Sequence, residues 1–221
     1  VASLLVWRVV GHGVLPIAPD DAEYIGVGRR LLAFRTPTRV NGDLYTIRSW
    51  VWPLMTGAAS RLVPGDVFRG PKVLGVVLGL VGLTAAVLFA YRRRGGLAAF
   101  GTALALGLTA AVWELAGSTR VDVGLIAFLT VTILVAAEPS PGRVVVAGVL
   151  AGLTLLVKES SALLVLLPLA WMRFAHLRAW WRAALRFWAA FAVVVSWFLS
   201  RTTKGFELRS AGFSLTAARY A

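Results

Sequence analysis

Cysteine is absent from the 221 residues. That excludes a disulfide framework and any thiolate metal site. Charge is scarce: 15% of the residues are Asp, Glu, Lys or Arg, against about 25% in an ordinary soluble domain. Acids are scarcer still, with 10 Asp plus Glu beside 23 Lys plus Arg, a net charge of +13. The two histidines, His12 and His176, stand far apart and read as incidental. What is abundant is apolar, at 58% of the chain and a mean hydropathy of +0.78. A water-soluble globule of this size could not hide that much apolar surface. A soluble enzyme, a secreted disulfide scaffold and a disordered chain are excluded together. The solvent implied is a bilayer.

In a soluble protein such a positive charge would point to nucleic acid. Here the cations lie mostly between apolar runs, so they read as topology signals and headgroup contacts, with membrane lipids as partners and no nucleic acid. The cluster Arg173, Arg178, Arg182 and Arg186, interleaved with Trp180 and Trp181, reads as an interfacial belt.

A spanning helix needs about 20 mostly apolar residues, because about 1.5 Å per residue must cover a core of about 30 Å. Val73–Ala90, Gly95–Trp113, Val123–Ala137 and Leu185–Ser200 are such runs. Val1–Ile17 reads as a first span whose start has been cut off, and no cleavable leader is visible. Val144–Ala175 is apolar except for Lys158-Glu159-Ser160-Ser161 at its middle. As one helix it would run roughly 48 Å, so a hairpin with a polar tip is expected. The fold predicted is all-α, a polytopic bundle of about seven spans forming one domain over residues 1–221. With the Arg92-Arg93-Arg94 cluster on the cytoplasmic side, residues 18–70 form the first outer loop.

That loop has structure of its own. Pro19-Asp20-Asp21 looks like a helix start, with acids at the positive end of the dipole. Tyr24, Val27, Leu31 and Phe34 then share one face, which predicts an amphipathic helix lying in the interface. Ile47–Val63 reads as a second interfacial helix interrupted at Pro53.

Ionisable groups at membrane depth are expensive and are therefore candidates for function. Asp20, Asp21, Glu114, Arg120, Asp122, Lys158 and Glu159 come from separate segments, yet the topology brings all of them to the outer face. Asp20-Asp21 reads as a catalytic base, as a ligand for a divalent cation, or as a helix cap. Arg120 and Asp122 read as a functional pair or as a surface ion pair at a helix end. Lys158 ends a run whose Gly148 and Gly152 suit close helix packing. Its buried ammonium needs an anion: Glu159, another acid or a lipid phosphate. Glu114 is expected to pair with Arg120 or Lys158.

The order of these features resembles the membrane glycosyltransferases of the GT-C superfamily. The acidic pair Asp20-Asp21 is similar to the family's Asp-Glu in the first outer loop. The stretch Tyr45-Thr46-Ile47-Arg48-Ser49-Trp50-Val51-Trp52-Pro53-Leu54 looks like its Arg-Ser-aromatic-Pro or Pro-Leu segment. Gly148 to Lys158, followed by Leu167-Pro168-Leu169, looks like its Gly-rich span ending in Lys. The resemblance covers the front half of a family member, so a fragment of a longer protein is expected.

The resemblance implies transfer of a mannose-like sugar from a polyprenyl-phosphate-linked donor to a hydroxyl of a lipid, glycan or protein. The setting implied is a bacterial-type plasma membrane, with the active site extracytoplasmic. Asp20 or Asp21 would be the base, and Lys158 with Arg120 would hold the donor phosphate. Glu114, Asp122, Glu159 and Arg48 would support them. No cofactor is required and no metal ligands are assigned, with a divalent cation as an option. The competing class is a non-enzymatic transporter or scaffold subunit that binds an anionic lipid.

Overall fold

The computed structural model describes residues 19–35, 37–38, 50–109, 120–158, 161–172 and 176–203. Among them the regular elements are helices: α1 (Pro19–Leu32), α2 (Val51–Ala59), α3 (Arg69–Arg94), α4 (Gly96–Leu108), α5 (Val121–Ala136), α6 (Pro141–Val157), a 3-10 turn at Leu164–Leu166, α7 (Leu167–Trp171) and α8 (Leu177–Thr203). The first span expected at Val1–Ile17 lies outside the described residues.

Helix boundaries follow from local chemistry. Asp66 Oδ1 accepts from the backbone N–H groups of Phe68 and Arg69, 3.0 Å each, and so satisfies donors at the start of α3. α3 stops at Gly95, whose φ of 83° suits glycine. Ser140 caps α6, with Pro141 as its first residue. Buried threonines turn their hydroxyls onto their own helix: Thr132 Oγ1 donates to Phe128 O at 2.6 Å and Thr154 Oγ1 to Leu150 O at 2.8 Å. This leaves no unsatisfied hydroxyl in an apolar interior.

α3 is the one described helix long and apolar enough to cross a membrane by itself. It runs about 39 Å, whereas α4, α5 and α6 run only about 20 to 26 Å. α3 and α5 run the same way, since Gly82 lies against Ala127 and Arg93 donates to the carbonyl of Ala137. α6 and α8 also run the same way: Gly148 lies against Phe187 and Ala190, and Gly152 against Val194 and Phe191. A Cβ on Gly148 would sit 2.3 Å from Phe187 O, so the small pair allows the close packing that its spacing predicts. α5 and α6 form a hairpin around Ala137–Ser140. The bundle therefore has two ends. Arg92–Arg94, Glu138, Arg143 and the start of α8 share one, here called the basic end. α1, α2 and the starts of α3 and α5 share the other with Lys158.

Three elements depart from the sequence expectation. The helix around Pro53 is not interrupted there; it starts at Val51, so Pro53 occupies the first turn, where its missing N–H costs nothing. Phe34 does not continue the apolar face of α1. The helix ends at Leu32, and Phe34 has a φ of 53° and is fully exposed. The Arg–Trp segment and the following run are one continuous helix, α8. The hairpin expected at Val144–Ala175 does break at Lys158. Its returning leg, however, is a 3-10 turn and a five-residue helix around Pro168 rather than a full span. That leg comes back to the basic end, where Arg93 donates to Trp171 O at 3.1 Å.

Candidate functional site

The end of the bundle opposite the arginine triplet is built on a tryptophan. Trp52 on α2 is 1% exposed and forms one apolar cluster with Tyr24 and Val27 of α1 and Val157, the last residue of α6. Leu78 of α3 and Val121 and Phe128 of α5 pack around it. Gly124, in the first turn of α5, makes room for the indole. A Cβ there would lie 2.5 Å from Trp52 Cζ3 and 3.3 Å from Val157 Cγ1. α1 reaches this cluster because it crosses α2 at Gly28 and Gly57. A Cβ on Gly28 would lie 1.7 Å from Pro53 O, so the two backbones touch directly.

This packing carries the ionisable groups with it. Lys158 follows Val157 as the C-cap of α6, where the negative end of the helix dipole favours an ammonium. Its Nζ pairs with Asp122 Oδ1 in the first turn of α5. Both side chains are about a third exposed, 34% for Lys158 and 39% for Asp122, so the pair is open to solvent or ligand. Arg120 is the exposed N-cap residue of α5, two positions before Asp122. Asp20 and Asp21 open α1 one turn before Tyr24. Asp20 is exposed, and Asp21 is 5% exposed on the face that meets α2.

No family model matches the chain, and no curated protein or solved structure matches it either.

The anion expected beside Lys158 is thus Asp122, thirty-six residues earlier, and Asp122 pairs across the bundle rather than with Arg120. Glu114, Glu159 and Arg48 lie outside the described residues. Among the described residues no three His, Asp or Glu come together as a metal site would require.

Trp52 is the residue that reading for charge passes over. Its indole Nε1 is buried with no hydrogen-bond partner among the described residues. Its signal in the sequence is weak: an aromatic beside a proline in a loop otherwise rich in arginine. Gly124 and Gly28 carry the complementary signal, since each sits inside a helix where glycine costs about 1 kcal/mol relative to alanine.

Proposed function

We propose that this chain is the membrane-embedded catalytic part of a glycosyltransferase that takes its sugar from a polyprenyl phosphate. In this reading the helices form a polytopic bundle of about seven spans, the short ones packing at small residues, with the Trp52 end extracytoplasmic. The observation that carries it is the packing at Trp52. The helix opened by Asp20 and Asp21 and the helix closed by Lys158 meet in one cluster, at the end away from the arginine triplet.

The chemistry asks for two things. An acceptor hydroxyl must lose its proton, and a departing phosphate must be neutralised. Asp20 is the exposed carboxylate of the pair and takes the proton. Asp21, turned inward, orients that end of α1. The acceptor oxygen bonds to the anomeric carbon as the bond from that carbon to the phosphate oxygen breaks, which inverts the centre. Lys158 has three N–H donors, of which Asp122 takes one, leaving two for the phosphate. Arg120, at the neighbouring helix end, is the second cation.

The test is transfer of labelled sugar from a polyprenyl-phosphate donor in membranes carrying the full-length protein. Asp20→Asn and Lys158→Ala are each expected to lower transfer by about 100-fold or more. Transfer left intact by both substitutions sinks the assignment. Donor binding that depends on Lys158 without any transfer points instead to the lipid-binding alternative.

A further inference from the structure

A second feature lies at the other end of the bundle. Phe89, Arg93 and Arg94 of α3, with Ala98 of α4, Ile133 of α5 and Trp171 of α7, line a groove of about 650 Å³. That volume falls inside the range of about 300–1,000 Å³ usual for sites that hold one organic ligand. The groove reaches about 12 Å in from Arg94 to Ala86 along α3.

Its walls are mostly apolar, with Thr102 and Thr130 as the exceptions. Thr130 spends its hydroxyl on the carbonyls of Ile126 and Ala127, at 2.7 and 3.1 Å. Phe89 and Trp171 hold each other edge to face with centroids 5.2 Å apart, which fixes one wall. The rim is cationic. Arg93 is anchored: its Nη2 donates to the carbonyls of Ala137 and Trp171, and its guanidinium lies 5.6 Å from the Phe89 ring centre. Glu138, the nearest acid on that end, is taken by Arg143 and by Arg92 at 3.8 Å. Arg94 makes no ion pair among the described residues. A largely apolar slot with two guanidinium groups at its mouth and, among the described residues, no carboxylate in its walls fits an amphiphile with an anionic head.

We propose that this groove binds an anionic phospholipid, with one acyl chain along Phe89, Ile133 and Trp171 and its phosphate at Arg93 and Arg94. The inference rests on the membrane part of the functional reading and not on sugar transfer. Its ligand is a structural lipid of the leaflet opposite the Trp52 site.

The experiment uses the full chain purified in detergent, stripped of lipid and titrated with phosphatidylglycerol or phosphatidylcholine of identical chains. Retention is counted by native mass spectrometry. Phosphatidylglycerol is expected to be retained about tenfold over phosphatidylcholine. Arg94→Gln should cut that retention about fivefold, as one surface cation acting on an anionic headgroup would. Ala98→Phe, which fills the slot, should abolish retention of both lipids. Arg94 is exposed, so Arg94→Gln keeps the test valid should Ala98→Phe fail to fold. Equal retention of the two lipids, or retention untouched by Arg94→Gln, overturns the proposal. A protein that keeps phosphatidylglycerol yet transfers no sugar leaves this site standing and removes the transferase reading. A chain that leaves membrane pellets in alkaline carbonate without detergent removes both.

Discussion

At the scale of single residues, the candidate site depends on Trp52 more than on any charge. The Lys158–Asp122 pair is about a third exposed on both sides, and exposed pairs contribute only about 0–1 kcal/mol. Trp52 is 1% exposed and touches the helices that supply both the acids and the lysine. Trp52→Ala is therefore expected to cost about 3–5 kcal/mol, the usual range for removing a large buried aromatic. Trp52→Phe should cost only about 1 kcal/mol. The smaller ring leaves part of the space beside Gly124 empty, and no hydrogen bond is lost because Nε1 makes none among the described residues. Thermal unfolding of the two variants in the same detergent separates the cases. A Trp52→Phe penalty equal to that of Trp52→Ala would mean that the indole N–H has a partner.

At the scale of elements, charge adds to apolar packing at the basic end, where Ala136, Val144, Met172 and Ala183 are buried together. Glu138 sits in the turn between α5 and α6. Arg143, which donates a hydrogen bond to it, and then Arg92 on α3 hold its carboxyl below the ordinary value of 4.5. A carboxyl lowered in the folded state stabilises that state above its unfolded value, and the contribution is lost as pH falls through the folded one. Wild type should thus outlast Glu138→Gln near neutral pH by a small margin. The two melting temperatures should converge below pH 4.5 as Glu138 gains its proton. A margin that persists in acid would assign the effect to packing instead. The elements also show what a single sequence can reveal. The break at Lys158 was legible because four polar residues cannot continue an apolar helix through lipid. The cap at Ser140-Pro141 follows equally local rules. The pairing of Lys158 with Asp122 was not legible, since several residues could offer the anion and only the α5–α6 packing selects one. Face periodicity says nothing about where a helix stops, so it carries the apolar face on to Phe34. Pro53 reads as an interruption because its cost depends on its position in the turn, which the sequence does not number. The role of Trp52 needed Gly28, Gly57 and Gly124 to be seen together, across three segments.

At the scale of the whole molecule, the two ends differ in charge balance rather than in the number of cations. Among the described residues the basic end holds seven arginines (92, 93, 94, 143, 178, 182 and 186) and one acid, Glu138. The Trp52 end holds nine cations (29, 30, 35, 61, 69, 72, 120, 158 and 201) against five acids, Asp20, Asp21, Glu23, Asp66 and Asp122. The seven arginines also sit in two tight turns and one helix start, where short cytoplasmic segments carry their positive charge. In the proposed reading the α1–α2 region belongs to the first outer loop. The proposed orientation has the arginine triplet in the cytoplasm and Trp52 outside. The 221 residues hold no cysteine, so a thiol introduced among them is the only one in this segment. Gly96 and Gly142 are exposed at the basic end, with no atom within 4 Å of an added Cβ, and Arg61 is exposed just after α2. A membrane-impermeant maleimide added to intact cells should label Arg61→Cys at once. It should label Gly96→Cys and Gly142→Cys only after the membrane is opened. Labelling of Gly96→Cys and Gly142→Cys on different sides would break the parallel packing of α3 and α5 that puts both turns at one end. Labelling of Arg61→Cys together with them would put the acidic helix and the arginine triplet in one compartment, where a donor site on the outer leaflet has no meaning.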